Sequence, residues 1–104
     1  MGLLRLSRRA ETDLLGISDH TLRTWSEDQA VRYVDAVGAF CRMLADNPAL
    51  GRSCDEVRRG LRRMEMEQHV VFYRQEADGI LVSRILHRRM LPERHAMEDE
   101  DDES

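Results

Sequence analysis

The stretch HVVFYRQEADGILVSRILHRRM, residues 69–90, constrains the fold of this chain more than any other part of it. Two runs rich in β-branched and aromatic residues flank Asp78-Gly79. That dipeptide favours a tight hairpin, because glycine tolerates the positive φ such turns use. The spacing predicts antiparallel strands at 69–76 and 80–88, with a third at 61–66 and a short first strand at 2–6. An isolated hairpin is marginal in water, so other elements must cover its apolar face.

The cover is written between the first strand and the hairpin. Ser7 stands where a helix N-cap would, its hydroxyl able to accept from an orphan amide of the first turn. Ala10, Leu14, Ile17, Thr21 and Trp25 then recur at helical spacing. Gly16 inside this run weakens the helix by about 1 kcal/mol relative to alanine and marks a close contact. Ser26-Glu-Asp-Gln29 fits a capping box, and a second helix follows with Ala30, Tyr33, Val34, Val37, Phe40, Cys41 and Leu44 on one face. Asn47-Pro48 ends it, since proline disfavours helical geometry in the residue before it. Residues 47–60 read as a loop punctuated by Pro48, Gly51 and Gly60. The order β-α-α-β-β-β predicts an α+β domain, a helical hairpin packed on one face of a curled antiparallel sheet.

A chain of 104 residues holds one domain. Cys41 and Cys54 lack the spacing of a disulfide framework or a zinc site and read as free thiols. His20, His69, His87 and His95 are scattered, so no metal and no cofactor is assigned. Neither a signal peptide nor a membrane span is legible, and the expected location is the cytoplasm. Residues 98–103 are six consecutive acids, expected to form a disordered tail behind a single domain at 1–97. Without them the net charge of −4 turns positive, 14 acids against 16 basic residues, every one of which is arginine.

Four segments in this order carry a family likeness: RLSRRAETDL at 5–14, QAVRYVDAV at 29–37, LADNPALGRSCDEVRRGLRRM at 44–64, and the hairpin at 69–90. On them the chain resembles ParE-type toxins of bacterial type II toxin–antitoxin modules, within the wider RelE/ParE fold group. The resemblance implies a toxin neutralised by a ParD-like antitoxin, whose C-terminal segment wraps around it and orders on binding. It also implies DNA gyrase as the target, inhibited by protein–protein binding and not by an enzymatic step. The related RelE-like branch cleaves messenger RNA on the ribosome, and the choice between branches falls to individual residues.

Cleavage by 2′-hydroxyl attack needs a proton acceptor, a proton donor and cations on the phosphate. His87 is the candidate acid or base, with Arg84, Arg88 or Arg62 as clamps and Glu56 or Glu65 as a carboxylate partner. Strand alternation places Ile85 and His87 on one face and Arg84, Leu86 and Arg88 on the other, which parts His87 from Arg88. RelE-like nucleases carry a basic or aromatic C-terminal cluster, whereas residues 89–97 here hold no Tyr, Phe, Trp or Lys on which a base could stack. The acidic block would repel a phosphate backbone. Endonuclease is therefore the second reading, and a degenerate antitoxin-binding member the third.

The ordinary role of a lone histidine at a strand end is packing, and the same holds for His69 and for Tyr73. Arg58, Arg59, Arg62 and Arg63, with Arg84, His87, Arg88 and Arg89, are the expected partner-binding residues. Guanidinium groups grip carboxylates, on an antitoxin or on the target. No sequence-specific nucleic-acid binding by the chain alone is expected.

Overall fold

A computed structural model describes residues 2–90, which form β1 (Leu3–Leu6), α1 (Arg8–Thr24), α2 (Glu27–Asp46), β2 (Arg52–Ser53), β3 (Leu61–Met66), β4 (His69–Glu76), β5 (Gly79–His87) and a closing 3-10 turn, Arg88–Met90. The extension at 91–97, the domain boundary at 97 and the acidic block lie outside the described residues.

The helix starts obey the local chemistry. Ser7 accepts from the amide of Ala10 at 3.0 Å, and Ser26 from that of Gln29 at 3.2 Å. Asn47 closes α2 with its amide on the carbonyls of Met43 and Leu44. The buried stripe of α1 is Ala10, Ile17 and Thr21; that of α2 is Ala30, Tyr33, Val37, Cys41, Leu44 and Ala45. Trp25 caps α1 and stays partly exposed, edge-on to the Tyr33 ring.

The sheet runs β1-β5-β4-β3-β2. The three later strands expected from the sequence, β3, β4 and β5, are antiparallel neighbours, and β1 joins β5 in parallel, making the sheet mixed. The expected 47–60 loop contributes the short β2, which pairs Arg52 with Arg63 and Ser53 with Arg62.

The last hairpin corrects one sequence inference. Glu76 pairs with Gly79, so the two turn residues are Ala77 and Asp78, and Gly79 is the first residue of β5. Gly79 does not adopt a positive φ. It is glycine because the Leu3 backbone crosses it, with the Leu3 amide bonded to Asp78 O at 2.7 Å; any Cβ would collide with Leu3. The residue that seemed to make the turn instead seats β1.

Two apolar clusters explain why HVVFY and ILV are continuous runs. Val71, Tyr73, Ile80, Val82 and Ile85 face the helices. Val70, Phe72, Leu86 and Leu61 of β3 face the other way, with Cys54 and Val57 packed against them. A sheet covered on both faces loses the polar half of its alternation. Tyr73 is fully buried, and its hydroxyl donates to Pro48 O at 2.7 Å and accepts from the Gly51 amide at 2.8 Å. The Asn-Pro-x-Leu-Gly loop is thus wrapped around one phenol.

Candidate functional site

Strands β1 and β5 part company at Ser7. Its amide bonds Val82 O at 2.9 Å and its hydroxyl donates to Ser83 O at 2.8 Å, turning the chain off the sheet into α1. From there β5 continues to His87 with α1, not a strand, beside it. The β4–β5 register also jumps here: Tyr73 faces Val82 but Phe72 faces Arg84, leaving Ser83 as the extra residue of a bulge.

Asp13 holds this junction. Its carboxylate takes Arg84 Nε at 2.7 Å, Arg84 Nη2 at 3.0 Å and the Ile85 amide at 2.9 Å. Both side chains of the ion pair are mostly buried, at 18% and 13% exposure. A bidentate guanidinium–carboxylate pair fixes orientation as well as charge. The carboxylate oxygen also occupies the place a neighbouring strand's carbonyl would take on Ile85, sealing that part of the sheet edge.

Between α1 and the end of β5 lies a groove of about 400 Å³. Gly16, Ile17, Thr21 and Ile85 form much of its wall, and His20, His69 and His87 supply polar groups. A Cβ built on Gly16 would meet nothing within 4 Å, so the fold does not need glycine there. His69, buried, shares a 2.5 Å hydrogen bond between its Nδ1 and the Tyr33 hydroxyl, and its ring lies edge-on to His87 at 5.4 Å. Burial, then the charges of His87 and His20, push the His69 imidazole below its ordinary value; burial pushes the Tyr33 phenol up. His87 accepts the Arg89 amide on Nδ1 at 3.1 Å.

The expected site residues do not gather in one patch. Arg84 and His87 line the groove, and Arg88 and Arg89 follow in the 3-10 turn, where the Arg88 amide bonds Gln68 O at 2.9 Å. The strand ends at His87, so the alternation that would part His87 from Arg88 does not extend to Arg88. Arg58 and Arg59 lie before β3, near the opposite end of the sheet from His69 and His87. The five steps from Leu61 to Met66 separate the two groups by roughly 17 Å at about 3.3 Å per residue. Arg62 and Arg63 diverge in turn. Arg62 donates to Gly51 O, while Arg63 lies over the Phe72 ring at 5.5 Å and pairs with Glu65, which also holds Arg52.

Sequence reading missed Asp13, His20 and the Tyr33–His69 bond. Asp13 left a signal: it falls with Ala10 and Ile17 on the buried stripe of α1, where an acid demands a partner. The Tyr33–His69 pair joins residues 36 apart and left none. Among the described residues no group of His, Cys, Asp or Glu is arranged to hold a metal ion, and no helix is long and apolar enough to cross a membrane.

Comparison with known proteins agrees on one family. A family model for the ParE toxin of the type II toxin–antitoxin system parDE matches residues 4–92. A toxin ParE1 of Mycobacterium tuberculosis (strain H37Rv) is 40% identical over 86 residues, covering 82% of this chain and 88% of that protein. A toxin ParE1 of Caulobacter vibrioides is 36% identical over 91 residues, covering 88% of this chain and 94% of its own length. Among solved structures, a chain of the chromosomal ParDE TA system from P. aeruginosa has the same fold, with a TM-score of 0.71 at 24% identity, over 84% of this chain and 96% of that one.

Proposed function

The chain belongs to the ParE toxin family of type II toxin–antitoxin systems, and from that premise we propose that it is a toxin held by a ParD-like antitoxin and directed at DNA gyrase. It acts in the cytoplasm by binding, not by cutting RNA, and the α1–β5 groove is the surface that receives the antitoxin segment. The observation that carries the choice is the engagement of Arg84. A nuclease built on His87 needs a guanidinium beside it to hold phosphate, and the one on its own strand is held by both oxygens of Asp13. His87 itself has its Nδ1 occupied by a backbone amide. Support for gyrase as the target comes from the family alone.

The test is to incubate the purified chain with gyrase and supercoiled plasmid, following trapped DNA cleavage and loss of supercoiling. Messenger RNA integrity is followed in parallel on translating ribosomes. Gyrase inhibition with intact RNA is the expected result. Cut RNA with unaffected gyrase would establish the endonuclease, and neither effect, with antitoxin binding retained, would establish a degenerate member.

A further inference from the structure

Among the described residues lining the groove the single acid is already engaged: Asp13 is taken by Arg84 and the Ile85 amide. Besides Asp13 and Arg84, the ionisable groups among these residues are three imidazoles, His20 from α1, His69 from β4 and His87 from β5. The remaining wall is largely apolar, with Ile17, Ile85 and Leu86 on it and open space over Gly16. Such a groove has room for a chain to lie close to α1, and its unmet electrostatic capacity is for negative charge.

We propose that the groove is a docking surface for an apolar segment bearing a carboxylate, and that docking is coupled to proton uptake by His69. The inference rests on the reading of the chain as a toxin held by a protein partner, and names that partner segment's chemistry. A carboxylate brought within about 4–6 Å of an imidazole stabilises the imidazolium and raises its pKa. In the free protein burial, and then His87 and His20, disfavour the charged form of His69, a bias that an arriving anion opposes. The groups that face it are Tyr33 from α2, His20 from α1, and His87 from β5, with the Asp13–Arg84 pair farther along the wall. Glu67, in the β3–β4 turn, acts on Tyr33. No carboxylate in this set makes a hydrogen bond or ion pair to His69 among those observed, which leaves that role to the occupant.

The probe is octanoate, an apolar chain with one carboxylate, compared with octanamide, which has the same chain and no charge. Both are titrated into the full chain while the histidine ring signals are followed by NMR at several pH values. Octanoate should shift the Gly16, His20, His69 and His87 signals and raise the apparent pKa of His69. Its affinity should rise, by up to about tenfold per pH unit for each proton taken up, as pH falls from about 7.5 to 6. Octanamide should bind with no pH dependence. His69→Gln retains an acceptor for the Tyr33 hydroxyl, and His87→Gln alters a half-exposed site; the double variant should abolish most of the slope. Equal slopes for the two ligands, an unchanged slope in the double variant, or no groove shifts with octanoate would each overturn the inference. None of these outcomes touches the gyrase assay, and a failed gyrase assay would leave proton-coupled octanoate binding standing.

Discussion

At the scale of single residues, Asp13 and His69 are the two side chains whose environments have consequences out of proportion to their size. Asp13→Ala would take the counter-charge from a mostly buried guanidinium and the acceptor from the Ile85 amide together. Removing one partner of a buried ion pair costs about 3 kcal/mol or more, because the survivor loses its counter-charge while staying desolvated. Urea unfolding should register a loss of that order; a change below about 1 kcal/mol would place the pair with ordinary surface bridges. For His69 the sign follows from its depressed pKa. The unfolded chain takes up a proton near the ordinary value of 6.5, while the folded protein resists it until lower pH. Its contribution to stability is thus fully present above about pH 6.5 and is lost as pH falls through the folded value. The urea midpoint should drop over that window, and His69→Gln should flatten the drop. An identical pH profile in the variant would refute a role for this imidazole.

At the scale of elements, two glycines in similar-looking positions have opposite meanings. Gly79 opens β5 under the Leu3 backbone, so Gly79→Ala must push β1 away from β5, with which it pairs. A loss of more than about 2 kcal/mol is expected, in line with overpacking at a site that cannot yield, together with faster hydrogen exchange of the β1 amides. Gly16 sits in α1 with open space where a Cβ would go. Gly16→Ala should stabilise the isolated protein by about 1 kcal/mol through helix propensity. If the groove receives a partner segment, the same substitution should weaken antitoxin binding. Gained stability with unchanged affinity would remove Gly16 from the interface. The expectation of a close contact at Gly16 is therefore not met within the fold itself, and is left for a partner to supply.

At the scale of the whole molecule, the arginines fall into groups set apart by the length of β3. Arg58 and Arg59 belong to one end of the sheet, Arg88 and Arg89 to the other. Groups that far apart should act independently. Neutralising each pair with glutamine, and then both, should give changes in antitoxin-binding free energy that add within about 0.5 kcal/mol. A clear departure from additivity would mean that one partner segment couples the two ends.

Element types, helix caps and the apolar stripes were legible in the sequence because each depends on neighbours a few residues apart. Ser7 and Ser26 cap the helices they precede, and the 69–90 stretch forms the hairpin it announces. The family was legible for the same reason, since its segments are contiguous. What only the tertiary structure decided concerns contacts between distant residues. It set β1 parallel to β5, gave Gly79 its purpose, and joined Asp13 to Arg84 across 71 positions. It brought Tyr33 and His69 together and divided the arginines between two ends. Periodicity states which face a side chain takes on its own element, but not what the packing of other elements sets opposite it.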